Sequence, residues 1–189
     1  MNALMKSAAE VPSAQTAALT AAHLATEEKQ YLTFMLGGEM FSLSILCIKE
    51  IIWYANLTEV PMMPQCIRGV INLRGAVVTV MDLSVRFGKP STPVTKSSCI
   101  VIAEVEAPGG SERQNMGLVV DAVQAVLEIA SSEIEPAPNF GSHIRRDFIE
   151  GIAKINSKFV IVLDVNRVLS TEEIGQMGQL AASTELAEA

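Results

Sequence analysis

Three aspartates, Asp82, Asp121 and Asp164, each follow an apolar run, and His143 falls in the loop-like stretch Asn139-Phe-Gly-Ser-His-Ile-Arg-Arg146. Carboxylates and an imidazole collected at one rim of a β-barrel would make a general acid–base set, as in a small hydrolase-type enzyme. That chemistry needs the side chains to converge in one pocket, which scattered positions neither support nor exclude. Strand-end aspartates more often open turns, where the carboxylate accepts from nearby backbone amides. The other histidine, His23, lies in an Ala-, Ser- and Thr-rich N-terminal stretch. The chain has no Gly-x-x-x-x-Gly-Lys-Ser/Thr phosphate loop, no Gly-x-Gly-x-x-Gly turn and no Gly-x-Ser-x-Gly elbow. Cys47, Cys66 and Cys99 form no Cys-x-x-Cys pair and are odd in number, which suits reduced, buried thiols better than a disulfide framework or a thiolate metal site. The expectation is a protein with no catalytic residue, no metal and no cofactor.

A different kind of site is suggested by Asn72-Leu73-Arg74-Gly75, set between two runs rich in Val and Ile. The runs suit strands, because β-branched side chains pack well on a pleated surface, and Asn with Gly supplies hairpin chemistry. Arg74 should project from the turn, either idly solvated or as a binding group. The pair Met62-Met63, between Pro61 and Pro64, either fills a gap or offers an adaptable contact surface.

Formal charge is −7 and the isoelectric point is near 4.9. An acidic chain is repelled by phosphate backbones and anionic membranes, so nucleic acid is an unsuitable partner. Aromatic residues make up 5% of the chain, too few for an oligonucleotide-binding barrel that stacks bases. The stretch 48–90 runs against the overall charge, with Lys49, Arg68, Arg74, Arg86 and Lys89 against Glu50, Glu59 and Asp82. No apolar run is long enough to cross a bilayer and no secretory signal is visible, so a cytoplasmic protein without direct membrane insertion is expected.

These groups must be positioned by short strands. Residues 1–28 are dominated by Ala, Ser, Thr and Gln, with few large apolar side chains, and read as a flexible tail. From Tyr31 the chain carries strand patterns near 31–36, 41–45, 51–54, 67–72, 76–82, 98–106, 116–121, 122–129, 149–155 and 158–164, separated by Pro, Gly, Asn and Ser clusters. No long helices alternate with them, which points to an all-β fold of two packed five-stranded barrels with short helices. Residues 29–171 form the folded part, with a linker between halves near 88–97 and a polar hairpin loop at 107–115. Ser170-Thr171-Glu172-Glu173 has helix-start chemistry, predicting a C-terminal helix or tail over 172–189.

The ordered series Tyr31-Leu-Thr-Phe34, Phe41-Ser-Leu-Ser-Ile45, Ile48-Lys-Glu-Ile51, Ile67-Arg-Gly-Val-Ile-Asn-Leu-Arg-Gly75, Val80-Met-Asp-Leu83, Val119-Val-Asp-Ala-Val-Gln-Ala-Val126 and Pro136-Ala-Pro-Asn-Phe140 closely resembles the CheW family of bacterial chemotaxis coupling proteins. The resemblance implies two SH3-like barrels that exchange strands, and a non-enzymatic adaptor. Its implied partners are the cytoplasmic tip of methyl-accepting chemoreceptors, the regulatory domain of a CheA-type histidine kinase, and other family copies in array rings. It places receptor contact at Ile48, Glu50 and Arg74, supported by Asn72, Leu73 and Gly75, with Lys49 as a tuner of receptor choice. It places kinase contact at Val123 and Val126, for which core burial is the competing role. A family variant that only builds the receptor array is the alternative within the same fold, and recruitment to membrane-bound arrays would follow from either.

Overall fold

The computed structural model describes residues 28–106, 113–137 and 144–170. The N-terminal tail, most of the 107–115 loop, His143 and the C-terminal helix expected over 172–189 lie outside them. Within them the strands are β1 (Glu28–Leu36), β2 (Glu39–Ser44), β3 (Ile48–Trp53), β4 (Ile67–Leu73), β5 (Ala76–Asp82), β6 (Cys99–Glu106), β7 (Arg113–Val120), β8 (Ala122–Ala130), β9 (Ile134–Glu135), β10 (Ile149–Ile155) and β11 (Lys158–Leu163). Two one-turn helices, α1 (Leu83–Arg86) and α2 (Val165–Val168), follow β5 and β11.

The strands form a six-stranded sheet in the order β8-β1-β2-β11-β10-β9 and a five-stranded sheet in the order β3-β6-β7-β5-β4. Each sheet curls into a small SH3-like barrel. The sixth strand, absent from the sequence expectation, is the two-residue β9, too short for an alternating pattern to reveal. It pairs with β10 because Gly151 has no Cβ; one built there would press into Ile134 and the Glu135 carbonyl. Gly69 serves the other barrel in the same way, letting Thr58 bridge to Val70 where a Cβ would meet the Thr58 carbonyl.

The chain repeats itself. Residues 67–82 and 149–164 align one for one, with the same Ile-x-Gly start, a β-bulge at that Gly, a two-residue turn and a closing Asp that caps a helix. Applied to all strands, the repeat relates β1, β2, β3, β4 and β5 to β6, β7, β8, β10 and β11. The two sheet orders then coincide strand for strand, β9 apart, but each sheet mixes the halves: one joins β1 and β2 to β8, β10 and β11, and the other joins β3, β4 and β5 to β6 and β7. Each barrel thus draws two strands from one half of the chain and the rest from the other. The crossings are short: a 3-10 turn at Ile45–Cys47 leads from β2 to β3, and the single residue Asp121 separates β7 from β8. Residues 88–97, expected as a linker between halves, lie between β5 and β6, where one half of the repeat passes to the other, and both of these strands belong to the five-stranded sheet.

A large core fills the space between the sheets, with Phe34, Phe41, Phe87 and Phe148 running through it as a chain of stacked or tilted rings. Smaller clusters fill the barrel interiors, around Ile100, Ile102 and Val80 in one and Tyr31, Ile129 and Val162 in the other. The 88–97 segment straps one side of this core through Asp82. The fully buried Asp82 carboxylate accepts from Arg68 Nε at 2.9 Å, Ser91 Oγ at 2.8 Å and the Thr92 amide at 3.0 Å, while its other oxygen caps α1. Burial alone would raise its pKa, but the bonds from Ser91 and Thr92 and the charge of Arg68 outweigh it and hold the carboxyl below its ordinary value. In the second repeat, Glu150 stands where Arg68 does, so two carboxylates replace an ion pair. Partial desolvation and the Asp164 charge push the Glu150 pKa up against the opposing pull of Lys29.

Two outcomes are expected. Asp82 has a depressed folded-state pKa, so its contribution is complete above the ordinary value of 3.8 and is lost as pH falls through the folded value. Asp82→Asn should therefore cost about 3 kcal/mol at pH 7 and blunt the fall in Tm below about pH 4, followed by circular dichroism. Glu150→Arg, which restores the charge pattern of the first repeat, should raise Tm at pH 7 by about 2 °C.

Candidate partner-binding site

The Asn72–Gly75 hairpin is a two-residue turn. Leu73 pairs with Ala76, leaving Arg74 and Gly75 as the central residues, with φ of 52° and 89°. A primed turn needs positive φ at both positions, because only then does its twist match that of the strands it joins. Gly75 meets the requirement freely, whereas an arginine is strained there by about 1 kcal/mol. Asn72 Oδ1 accepts from the Gly75 amide at 2.9 Å and braces the turn, and Leu73 packs into the barrel interior.

Arg74 projects into solvent, with its side chain 81% exposed, and its Nη2 lies 2.8 Å from Glu50 Oε2 on β3. β3 and β4 are the opposite edges of the five-stranded sheet, so this pair spans the seam where the barrel closes. Such an exposed pair contributes little stability, at most about 1 kcal/mol. Its effect is to aim a guanidinium fork that the turn already holds forward.

Ile48 does not join this pair. A β-bulge between Ile48 and Glu50 sets Ile48 opposite Ala103 and Glu50 opposite Ile102. Ala103 belongs to the inter-sheet core and Ile102 to the barrel interior, so two residues that share a face by simple alternation lie on opposite faces. Ile48 is half-buried against the inter-sheet core. Lys49 is locked to Glu104 at 2.8 Å, and Arg113 binds the same carboxylate at 3.0 Å. Hydrogen bonds from these two cations lower the Glu104 pKa.

Past the bulge, β3 turns Ile51 and Trp53 outward, 41% and 71% exposed. They border a cleft of about 430 Å³ between the two barrels, lined also by Ile52, Ser97, Cys99, Ala122 and Val123. Val123 is half-buried and packs on the inter-sheet core, while Val126, on the same face of β8, is 47% exposed. Alternation along β3 carried the signal for Ile51 and Trp53, which the sequence reading passed over in favour of the apolar-x-Glu pattern.

The three aspartates do not share a pocket. Asp82 is committed to Arg68, Ser91, Thr92 and α1. Asp121 accepts from the Gly37 amide at 2.7 Å, and its own amide donates to the Met35 carbonyl, fastening the sheet crossing to the β1–β2 turn. Asp164 caps α2 through Asn166 and Arg167 and borders a separate cleft of about 370 Å³ with Glu104, Glu106 and Glu150. Among the described residues no group of three or more His, Cys, Asp or Glu side chains could hold a metal ion, and no helix is long and apolar enough to cross a membrane. The three cysteines are free. Burial pushes the Cys47 thiol up to about 11 and raises that of Cys66, which keeps both protonated at neutral pH and poor as nucleophiles.

Comparison with known proteins agrees with this architecture of caps, turns and exposed strand faces. The family model of the CheW-like domain matches residues 30–173. A chemotaxis protein CheW of Klebsiella aerogenes is 30% identical over 158 residues, covering 84% of this chain and 92% of its own. A probable chemotaxis protein CheW of Rhizobium etli is 33% identical over 147 residues, covering 77% and 90%. Among solved structures, the scaffolding protein TtCheW of Thermoanaerobacter tengcongensis superposes with a TM-score of 0.67 at 36% identity, covering 75% of this chain and 88% of that one. The strand-exchanged pair of SH3-like barrels and these matches across nearly all of the folded residues make this chain a member of the CheW family, a chemotaxis scaffold protein.

Proposed function

We propose that the protein is a non-enzymatic adaptor that holds a chemoreceptor cytoplasmic tip on one face and the regulatory domain of a CheA-type histidine kinase on another. The observation that carries this reading is Arg74, strained in its backbone, exposed in its side chain and aimed by Glu50. Such strain persists only where the surrounding structure enforces it, here the primed turn, which holds the Arg74 side chain out into solvent. Arg74 and Glu50 orient a polar helical surface, braced by Asn72, Leu73 and Gly75, while Ile48 anchors β3 beneath them.

Val126, exposed on the β8 edge of the other sheet, is the kinase contact, with Val123 supporting it from the core side. An apolar residue on an unpaired edge strand invites a covering partner. Binding both partners at once raises the effective concentration of each near the other. Transmission requires in addition that receptor state change the affinity for one kinase conformation over another. Localisation at membrane-bound arrays, alongside further family copies, follows from these contacts without any insertion into the bilayer.

Arg74→Ala should leave the fold intact and weaken association with a purified receptor fragment by about 1–3 kcal/mol in calorimetry. Arg74→Gly sharpens the test: it relieves the positive-φ strain, so Tm should hold or rise while receptor affinity falls as for Ala. Equal loss of stability and binding would reduce Arg74 to a structural residue. In a three-way pull-down, Val126→Glu should lose the kinase regulatory domain and keep the receptor fragment. A folded wild-type chain that captures neither partner would overturn the adaptor reading, and one that captures both without changing kinase activity would leave only array building.

A further inference from the structure

The repeat continues through the helical caps. Arg86, at the end of α1, corresponds to Val168, at the end of α2; Cys66, whose carbonyl accepts from the Asp82 amide, corresponds to Phe148, whose carbonyl accepts from the Asp164 amide. Arg86 touches its own counterpart. Its Nε donates to the Val168 carbonyl at 2.9 Å, and its guanidinium carbon lies 4.6 Å from the centre of the Phe148 ring. Phe87, the next residue, packs against the same ring with the two centres 6.1 Å apart. Residues of a repeat that contact their own counterparts mark the place where the two units meet. Arg86 and Phe87 follow β5 of the five-stranded sheet, whereas Phe148 and Val168 flank the β10–β11 hairpin of the six-stranded one. These contacts therefore join the barrels through residues that belong to neither chain crossing.

Arg86 is 7% exposed and is the one buried cation among the described residues. Its counterpart is a valine, so the repeated fold makes no demand for a charge at this place. A buried guanidinium is costly unless its donors are bonded, and here one of them satisfies a carbonyl at the end of α2 that has no donor within its own helix. What the arginine adds to the shared apolar core is direction. Burial of apolar surface holds two barrels together without favouring one orientation, whereas a hydrogen bond weakens steeply as donor and acceptor turn away from each other.

We infer that Arg86 is a positioning residue that fixes the angle between the two barrels, and with it the relation between the receptor face and the kinase face. The inference rests on the adaptor reading above, in which Arg74 and Glu50 belong to one barrel and Val126 to the other. A partner on one barrel can bear on a partner on the other only through a joint that does not yield. Arg86 lies outside both candidate faces, so its loss changes what the partners do together and leaves each separate contact as it was.

The angle is read in the full-length chain by electron–electron distance measurement between spin labels attached to ketone side chains introduced at Glu59 and Lys158, exposed positions on the two barrels. Arg86→Met puts a methyl group where Nε stands and Arg86→Gln puts an amide nitrogen there, so the two variants differ in the hydrogen bond to Val168. Arg86→Met should broaden the distance distribution and Arg86→Gln should keep it close to that of the wild type, with Arg86→Leu as the donor-free variant if Arg86→Met does not fold. Affinities for a purified receptor fragment and for the kinase regulatory domain, each measured alone by calorimetry, should not change. In complexes reconstituted from receptor fragment, kinase and this chain, the receptor-dependent part of kinase activity should fall about fivefold with Arg86→Met and recover with Arg86→Gln. An unchanged distance distribution in the donor-free variant would overturn the joint. A broadened distribution with receptor control of the kinase intact, or loss of either separate affinity, would overturn the positioning role. A wild-type chain that binds neither partner would overturn the adaptor reading, while the distances would still decide whether Arg86 fixes the angle.

Discussion

The structure depends on one topological constraint: each barrel is assembled from strands of both halves of the chain. The chain passes from the six-stranded to the five-stranded sheet through a single 3-10 turn and returns through one residue, so the two barrels are joined at two short crossings. The crossing from β7 to β8 is fastened by Asp121, whose carboxylate accepts from the Gly37 amide in the β1–β2 turn and whose amide donates to the Met35 carbonyl on β1. The apolar residues of both sheets then meet in one shared core rather than two. Two small barrels of this size would each be marginal alone, and sharing a core relieves that.

The exchange also determines where partners can touch. β3 and β8, the strands that follow the two crossings, are edge strands, and they carry the exposed apolar residues Ile51, Trp53 and Val126. A load placed on β3 bears on the hydrogen-bonded ladder with β6, which belongs to the other half of the chain. The two candidate faces are thus mechanically joined through strands that cross the molecule, a suitable arrangement for a scaffold.

Repetition gives two similar frames, and side chains make them differ. One barrel buries the Arg68–Asp82 pair and turns on Arg74-Gly75; the other places Glu150 beside Asp164 and turns on Asn156-Ser157, again with positive φ at both residues. Backbone geometry was kept while charge was changed. The charged pairs at the surface contribute little to folding, which frees them to serve recognition.

Much of this was legible in the chain itself. Alternating β-branched runs bounded by Gly, Pro and Asn placed the strands to within a few residues, because period-two patterning is local and a half-buried strand must show it. Asn72-Leu73-Arg74-Gly75 likewise announced a turn with a projecting cation. Other features depended on contacts distant in sequence. The β9 strand exists because Gly151 leaves room for it. The bulge in β3 moves Ile48 and Glu50 to opposite faces, contrary to simple alternation. Segment 88–97 carries two prolines, as a linker would, yet Thr92 and Ser91 bind it to a buried carboxylate. The sequence by itself determined which residues form strands and turns, since those preferences act between near neighbours. Only the tertiary structure decided which strands share a sheet, where the cleft lies and which apolar side chains stay exposed, because register, bulges and strand exchange are settled by packing across the whole chain.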